Sequence, residues 1–398
     1  MGSKKLNIIE IVIATAVIIV LTLLYDISSV GTADGVLYEG LAINLLNGIG
    51  YQDTIRNDFI LPSIGHPLII IVFKFLGVSS GLIFGKIMFS LGMVLAVIFA
   101  RLLELKRYIR LLVLPILFWS MPISFYWGVE MSLFVSIIGL AAAIAWFWKK
   151  KGWISAIVLA ISILLHLIVR PIGLPMLYLV VLVLVISFWR NRASIKYVTV
   201  AVALPLMLFQ LVGVLSNNLY NDSRLTTGTY SDIPLYCANN PHINLTTEYF
   251  STRWKELPDE VYEEAVDVFQ LKTTWQNRSE LLKSKTIDFI KDEPGKAFEG
   301  FWWRFGNYTY DQPETSGIIL FFAWLIGWLL FVFRFKRALF KKDWGLNLLI
   351  VFLPIYILVL TSIFPYVGVR YTLSPNIYFL VSIVFMMSLY SSLVPVKK

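Results

Sequence analysis

The arrangement of this chain is decided by residues 26–68, DISSVGTADGVLYEGLAINLLNGIGYQDTIRNDFILPSIGHPL. This is the first polar interval after a long apolar run, and it carries Asp34, Glu39, Asp53, Asp58 and His66. Apolar runs of about 20 residues lie on both sides of it, and each is long enough to cross a hydrocarbon core about 30 Å thick. The pattern predicts membrane spans that hold an acidic loop at a lipid surface.

Composition places the chain outside the range of soluble globular domains. Hydrophobic residues make up 58% and charged residues 15% of the sequence, and the mean hydropathy is +0.75. The net charge of +9 comes mostly from short basic clusters beside apolar runs, which is typical of topology signals rather than of nucleic-acid binding. The single cysteine, Cys237, excludes a disulfide framework or a cysteine-based metal site within one chain.

The apolar runs predict an all-α polytopic membrane protein, because backbone groups in lipid must bond to one another. The first run follows two lysines and lacks an A-x-A-like cleavage site, so we expect an uncleaved span. We predict about ten spans, near residues 7–25, 80–100, 111–128, 131–148, 153–170, 173–189, 197–215, 316–333, 345–364 and 373–391.

The basic clusters also predict the orientation of the spans. With the N-terminus inside and the spans alternating, each compact cluster falls on the cytoplasmic side, as the positive-inside rule requires. These clusters are at residues 101–110, 148–152, 189–196, 333–344 and the C-terminal tail. Both termini are then cytoplasmic in a multi-pass cell-membrane protein, and the loop at 26–68 lies outside.

Three parts follow from this layout. An N-terminal transmembrane module of about seven spans contains the first loop, an extracytoplasmic loop domain follows, and a C-terminal module of about three spans ends the chain; they cover residues 1–215, 216–315 and 316–398. The loop domain shows helical patterning at residues 258–271 and 279–291, followed by an amphipathic segment at 296–305. It is therefore expected to be mainly helical.

The first loop contains a candidate general base. Residues 36–47 have the apolar spacing of a short helix on a membrane surface, which Gly48 would end. Asp34 lies at its start, Tyr38 lies one turn further on, and Glu39 lies to the side. A partly desolvated carboxylate at this place suits a base, although aspartate is also a common helix N-cap.

Two further side chains on the outer side of the predicted spans could take part in chemistry. His66 precedes an apolar stretch that predicts a second surface or re-entrant helix, and it would bind a phosphate, orient an acceptor or be an idle interfacial side chain. Glu130 is expected in the short outer turn between the third and fourth spans. A carboxylate between apolar runs indicates a cavity or a partner; the alternative is a turn that faces solvent.

Two arginines depart from the inside bias of the short loops. Arg170 ends the fifth span, with His166 one turn earlier, and Arg370 begins the last span together with Tyr371. A guanidinium in the outer leaflet can bind a phosphate through two parallel hydrogen bonds. It can also reach to lipid headgroups without further function.

In this combination the chain resembles the GT-C superfamily of integral-membrane glycosyltransferases. More narrowly, it is similar to the branch that contains protein O-mannosyltransferases and the aminoarabinose transferase of lipid A. The similarity extends over nearly the whole chain and includes Asp34, Tyr38, Ala42, Leu46 and Gly48, then 65–68, Glu130, 170–173, 287–305, Arg370, Tyr371 and Pro375.

The resemblance implies transfer of a sugar from a polyprenyl-phosphate donor to a hydroxyl of a glycan, lipid or protein acceptor on the extracytoplasmic face. Asp34 and Glu130 would be catalytic, and the substrate-binding residues would be Tyr38, Glu39, His66, Arg170, Arg370 and Tyr371. Where relatives often carry an Asp-Glu pair this chain has Asp34-Gly35, so Glu39 or Glu130 would supply the second carboxylate. The sequence shows no convincing metal cluster and predicts no certain cofactor, although an outer acidic pair could bind a divalent metal ion.

Other classes of function are separated by where polar groups lie. A lipid-linked sugar flippase or another transporter should carry ionisable residues near the middle of several spans, and the nearest such residues are Lys86 and His166. A polysaccharide polymerase or ligase of different fold would use an oligosaccharide carrier instead. Pure scaffolding would not account for acids and arginines on one face.

Overall fold

A computed structural model describes most of the N-terminal module and parts of the remaining chain. The described residues are 8–28, 33–51, 63–120, 124–125, 127–169, 192–220, 235–236, 239–241, 275–310, 316–339, 354–355, 358–359 and 377–387. Their helices are α1 (Ile8–Leu24), α2 (Ala33–Leu46), α3 (Gly65–Phe75), α4 (Gly81–Leu102), α5 (Arg107–Ser120), α6 (Val129–Lys149), α7 (Trp153–Val169), α8 (Arg192–Tyr220), α9 (Trp275–Asp292), α10 (Pro294–Tyr310) and α11 (Ser316–Leu339), followed by α12 (Ile377–Met387). The predicted all-helical class is confirmed for these residues.

Helix length and composition support the membrane class more coarsely than the predicted span count. Within the described residues, three helical segments are long and apolar enough to cross a membrane, namely Gly81–Leu102, Val129–Lys149 and Ile195–Val212. Shorter apolar helices are Ile8–Leu24, Gly35–Leu46, Gly65–Phe75, Trp153–Val169, Ile319–Leu330 and Ile377–Met387. The total of ten spans stays a prediction, and the expected spans at 173–189 and 345–364 lie wholly or mostly outside the described residues.

The centre of the bundle is a series of neighbouring helices in which α4 packs on α6, α6 on α7, and α7 on α8. Gly92 of α4 lies directly against the ring of Phe134 of α6, and a Cβ at that position would clash with the ring. Small residues allow such close approach between membrane helices. The candidate site lies against the closely packed helices α4 and α6.

One end of the bundle collects the basic segments, and we call it the basic end. The guanidinium of Arg110 donates to both carboxylate oxygens of Glu10 at 2.7 and 2.6 Å, which joins the starts of α5 and α1. Lys149, at the end of α6, lies 2.7 Å from Glu104 in the turn between α4 and α5. Lys196 lies over the ring of Trp153 at 5.9 Å, which joins the start of α8 to that of α7.

These contacts bring the clusters at 101–110 and 148–152, and Lys196 of the cluster at 189–196, to a common end. The predicted orientation of the spans requires these basic clusters to lie at the same end of the bundle. The assignment of that end to the cytoplasm remains a prediction that follows from the positive-inside rule.

The opposite end collects the polar loops, and we call it the loop end. The two-residue strands β1 (Ile27–Ser28) and β2 (Ser124–Phe125) pair in parallel there and connect the segments after α1 and before α6. The Ser63 hydroxyl donates to the carbonyl of Ile168, which ties the start of α3 to the end of α7. Helix α2 packs on α3 above this contact.

A glycine ends each of α2 and α3, and the end of α2 at Gly48 is the one that the sequence predicts. The amides of Gly48 and Ile49 donate to the carbonyls of Leu45 at 3.2 Å and Asn44 at 2.9 Å, with Gly48 at φ 72°. This is the Schellman arrangement, whose left-handed residue glycine adopts without a steric penalty. Gly77 closes α3 in the same way at φ 83°.

Some helix boundaries differ from the predictions. The expected span at 111–128 ends as a helix at Ser120, and Ser124–Phe125 form a strand. The residue before a proline disfavours helical backbone, and Met121-Pro122 follow Ser120 in the sequence. The expected helices at 279–291 and 296–305 are the longer α9 and α10, while the one expected at 258–271 lies outside the described residues.

Candidate functional site at the loop end of the bundle

Helix α2 brings the first acidic residues to the loop end. Tyr38 meets the imidazole of His66 edge to face, with ring centroids 4.7 Å apart. The helix begins at Ala33, so Asp34 is already inside the first turn rather than at the preceding N-cap position. The backbone of Asp34 is described but its side chain is not, so its proposed role as a base rests on its place in the helix.

Glu39 forms an ion pair that sequence reasoning did not anticipate. Its Oε1 lies 2.8 Å from Nζ of Lys74, and both side chains are partly exposed. The same ammonium group lies 5.0 Å from the ring centroid of Trp127, a distance at which cation and ring attract each other. Lys74 is in the last turn of α3, where a cation is favoured by the helix dipole. This position near the helix end is the feature of the sequence that could have indicated a role for Lys74.

His66 lies inside the bundle rather than on its surface. It is fully buried, and its Nε2 lies 2.8 Å from the carbonyl oxygen of Trp127 while Nδ1 lies 2.8 Å from Oγ of Ser132. A carbonyl only accepts, so Nε2 carries the hydrogen and the Ser132 hydroxyl donates to Nδ1. The alternative of an idle interfacial histidine does not fit a ring with two buried hydrogen bonds.

The environment of His66 keeps the imidazole neutral. Burial lowers its pKa to about 4, and the hydrogen bond to the Trp127 carbonyl opposes only part of this effect. Helix α3 is too short to span a bilayer, so this ring belongs to the loop end rather than to a span. Both nitrogens of this neutral ring are engaged, by Ser132 and by the Trp127 carbonyl.

Trp127 holds the centre of this site in an uncommon backbone conformation. Its φ is 52°, a left-handed value that costs energy for a bulky residue and persists only where the surroundings enforce it. Its carbonyl accepts from His66, and its ring packs on Phe84 with centroids 4.9 Å apart. Strain, burial and the His66 contact together mark Trp127 as part of the site, which nothing in the sequence pattern indicated.

Glu130 is not in an outer turn, which corrects the sequence prediction. Helix α6 begins at Val129, so Glu130 is in its first turn, and its residue is only 5% exposed. The reading as a solvent-facing turn is therefore wrong. A carboxylate is stabilised near a helix N-terminus by the amide dipoles there, which is the physical reason that this position tolerates burial.

A second histidine repeats the pattern one turn along α6. Ser136 donates its hydroxyl to the carbonyl of Leu133 at 2.8 Å and lies 3.1 Å from Nδ1 of His166, which must then carry the hydrogen. The Tyr378 hydroxyl, at 3.2 Å, donates to Nε2 of the same ring. This contact attaches α12 to α6 and α7. The sequence did not indicate Ser132, Ser136 or Tyr378 as site residues, because serine and tyrosine within apolar runs have no distinctive spacing.

A cavity of about 510 Å³ lies between α4, α6 and α7. Ser132 lines it, so the cavity begins on the far side of the hydroxyl that His66 binds. Ser136 and Ser162 also contribute to its wall, and the other lining residues that the structure describes are apolar. The volume falls within the range of about 300–1,000 Å³ that is usual for ligand sites.

The remaining predicted site residues are only partly placed. Arg170, Arg370 and Tyr371 lie outside the described residues. Ile168, two positions before Arg170, is at the loop end through its contact with Ser63. The described part thus brings Tyr38 to His66 and links Glu39 to the Trp127 ring through Lys74. Glu130 follows Trp127 by three positions at the start of α6, and the arginines are not tested.

Arg304 of α10 is a buried cation that the sequence prediction overlooked. The residue is 1% exposed, whereas neighbouring Trp302 is 60% exposed. Burial lowers the pKa of the Arg304 guanidinium to about 10, which leaves it charged at neutral pH. Only the tertiary fold reveals that the amphipathic segment at 296–305 buries Arg304 while it exposes Trp302.

Metal ligands and relatives add no further constraint. Within the described ranges, no group of three or more His, Cys, Asp or Glu side chains is placed to hold a metal ion. No protein-family model, no curated protein and no solved structure matches the chain.

Proposed function

We propose that the chain is a membrane glycosyltransferase that moves a sugar from a polyprenyl-phosphate donor to an acceptor hydroxyl on the extracytoplasmic face. The observation that best supports this proposal is the contact between Tyr38 and His66. Through it the helix that carries Asp34 lies over the buried site at the loop end, opposite the basic end. An acidic helix over an enclosed polar site is the arrangement that a base-assisted transfer at a membrane surface needs.

In the proposed reaction, Asp34 accepts the proton of the acceptor hydroxyl as its oxygen bonds to the anomeric carbon. The bond between that carbon and the donor phosphate oxygen breaks, and the lipid phosphate leaves with the electron pair. Arg370 stabilises the negative charge on the leaving phosphate. The step balances, because the proton passes to Asp34 and the electron pair leaves with the lipid phosphate.

The other site residues are proposed to position these groups. Glu130, at the buried start of α6, and Arg170 hold the substrate, and Tyr38, Glu39 and Tyr371 contact it. His66 acts through the residues that it bonds, Ser132 and Trp127. Lys74 joins this set because it bridges Glu39 and the Trp127 ring, so an incoming anionic group would compete with Glu39 for it.

The proposal is tested by incubating membranes with radiolabelled polyprenyl-phosphate hexoses and measuring sugar incorporated into acceptors. General-base catalysis contributes about 10²–10⁴-fold, so Asp34→Asn should reduce transfer at least a hundredfold without changing protein level. The matched control is Asp288→Asn, since Asp288 contacts Ser284 on the exposed face of α9 and should retain activity. Full activity of Asp34→Asn would remove the assignment.

The role of Arg370 has its own test. Arg370→Ala should weaken use of the donor at limiting concentration, because the leaving phosphate loses its cationic partner. Turnover that is unchanged at limiting donor would count against the role.

A lipid-linked sugar flippase is a second candidate, and the buried cluster of His166, Ser136 and Tyr378 is the observation that favours it. Polar groups enclosed among membrane helices often mark a transport path. Proteoliposomes that contain the purified protein and a labelled donor separate the two. Movement of intact donor between leaflets without sugar release supports transport, whereas release of sugar to an acceptor supports transfer.

A further inference from the structure

The cavity between α4, α6 and α7 is polar at one end and apolar at the other. Ser132 and Ser136 lie three and seven residues from the start of α6 at Val129, and Ser162 lies seven residues from the end of α7 at Val169. At about 1.5 Å per residue, all three hydroxyls lie within about 11 Å of the loop end. They form the polar half of the wall.

The other half of the cavity runs toward the basic end and is apolar. Its wall there includes Leu95, Ile98, Leu102, Ala143 and Trp146. From Ser132 to Trp146 the cavity follows α6 for about 21 Å at the usual helical rise, which is about two thirds of a hydrocarbon core about 30 Å thick. Its shape is therefore that of a site for one polar group followed by a hydrocarbon chain.

The cavity reaches the outer surface of the bundle at apolar side chains. Ile98 of α4 and Leu165 of α7 both line it, and they are 44% and 42% exposed. Both belong to helices that are apolar along their length. At such a position the surrounding medium of a membrane protein is lipid rather than water, so an occupant would enter sideways from the bilayer.

The wall also determines the charge of the occupant. Among the sixteen lining residues that the structure describes, none is Asp, Glu, Lys, Arg or His. Moving an ionised phosphate into an apolar site without a charged partner costs several kcal/mol or more. An anionic lipid headgroup is therefore disfavoured in this cavity, and an uncharged head is favoured.

The hydrogen bonds of the three serines determine the kind of uncharged head. Ser132 donates to His66, Ser136 donates to the Leu133 carbonyl, and Ser162 donates to the Val158 carbonyl at 2.9 Å. Each hydroxyl has one hydrogen and two acceptor lone pairs, so the hydrogens are already used. What the three serines offer an occupant is therefore acceptors, and these require a ligand that donates.

We infer that this cavity binds a neutral lipid alcohol. Its hydroxyl donates to the serine oxygens, and one hydrocarbon chain lies along the apolar half of the cavity, toward the basic end. The binding itself stands on the cavity alone. Its meaning as the acceptor site, with a lipid alcohol as the class of acceptor, rests on the proposed transferase function. The polar end is linked to the loop-end site through Ser132, which lines the cavity and bonds His66.

The inference is tested by photolabelling the purified full-length protein in phosphatidylcholine nanodiscs with a diazirine-bearing diacylglycerol. Labelled peptides are mapped by mass spectrometry. We expect labels on α4, α6 and α7, and at least a fivefold decrease with a tenfold excess of unlabelled dioleoylglycerol. The same excess of dioleoylphosphatidate, which has identical chains and a phosphate head, should decrease labelling less than twofold.

Variants of one hydroxyl position separate occupancy from mere lipid contact. Ser162→Leu fills the cavity and should reduce labelling at least fivefold, while Ser162→Ala keeps the space but removes an acceptor and should weaken the dioleoylglycerol competition about threefold. Thr199→Leu is the matched control, because Thr199 likewise bonds the carbonyl four residues earlier but lies on the exposed face of α8. It should label like the unmodified protein.

Equal competition by dioleoylphosphatidate, or labelling that does not change in Ser162→Leu, would overturn the inference. Complete absence of label on α4, α6 and α7 would overturn it too, since another part of the chain or a second copy would then cover the cavity. The assay contains no sugar donor. Its failure therefore leaves the transferase proposal to its own test, and loss of sugar transfer leaves this binding result standing.

Discussion

At the scale of single residues, the site is organised by Trp127, whose left-handed backbone places its carbonyl against His66. The carbonyl fixes the imidazole tautomer, and the tautomer in turn orients the hydroxyl of Ser132 toward Nδ1. One strained residue thus determines the hydrogen-bond direction at the top of the cavity. The ring of the same residue receives Lys74, so the charged and the neutral parts of the site meet at Trp127.

This arrangement predicts a pH-dependent stability. Below pH 6.5 the unfolded chain takes up a proton on His66, whereas the folded protein resists protonation until about pH 4. His66 should therefore reduce stability progressively as pH falls from 6.5 to 4 and contribute nothing to the slope above that window. Each pH unit between the two pKa values corresponds to about 1.4 kcal/mol, so the full effect is of the order of 3 kcal/mol.

The measurement is thermal unfolding of the purified protein in detergent across pH 4 to 8. His66→Gln keeps a donor and an acceptor but cannot titrate, so the fall in melting temperature below pH 6.5 should be shallower in this variant. Identical pH profiles for the two proteins would show that His66 does not carry the effect.

At the scale of elements, the close approach of α3 to α7 carries the site. A Cβ on Gly65 would clash with the backbone of Ile168, which cannot move as a flexible side chain can. The Ser63 hydroxyl bonds the carbonyl of the same Ile168. Because His66 follows Gly65 directly, the depth at which α3 packs also sets the position of the imidazole.

Gly65→Ala should therefore push α3 away from α7 and destabilise the protein by about 1–3 kcal/mol, the usual cost of overpacking. It should also lower sugar transfer if the proposed function holds. Gly139→Ala is the matched control, because the nearest atom to its added Cβ would be Leu95 Cδ1 at 3.7 Å. Alanine is the better helix former by up to about 1 kcal/mol, so this control should be neutral or stabilising.

Thermal unfolding in detergent compares the two glycine variants directly. Opposite signs of the change in melting temperature are expected. If Gly65→Ala proves as stable as the unmodified protein, the close packing of α3 on α7 is not what holds His66 in place.

At the scale of the whole molecule, the bundle has two chemically different ends. The basic end is joined by Glu10 with Arg110 and by Glu104 with Lys149. The loop end holds the paired strands, α2 and α3, and the buried residues around His66. This difference between the two ends is the basis for the prediction that the site faces one side of the membrane.

The orientation is tested with single cysteines in a Cys237→Ser background. Leu76→Cys lies in the exposed turn between α3 and α4 at the loop end, and Lys150→Cys lies at the exposed end of α6. A membrane-impermeant maleimide should label only Leu76→Cys on intact cells and label both after permeabilisation. Labelling of Lys150→Cys alone on intact cells would reverse the orientation and place the proposed site on the cytoplasmic side.

Periodicity and apolar run length were enough to predict most of the described helices. The expected helix at 36–47 is α2, the expected spans at 80–100, 131–148 and 153–170 correspond to α4, α6 and α7, and Gly48 ends its helix as predicted. These features are local, because they follow from turn chemistry and from the need of apolar segments to satisfy their own backbone in lipid. The end of α5 at Ser120 was not predicted, since the apolar composition of the sequence continues past this residue.

By itself, the sequence determined the helical class, the clustering of basic residues and the candidate acids and histidine of the loop end. Only the tertiary structure decided that His66 is enclosed and neutral, that Glu130 belongs to a helix, that Glu39 pairs with Lys74, and that three serines line one cavity. The physical reason is that helix formation depends on neighbours within a few positions. Burial, tautomer and ion pairing depend on residues that are tens to hundreds of positions away in the chain, and only packing brings these together.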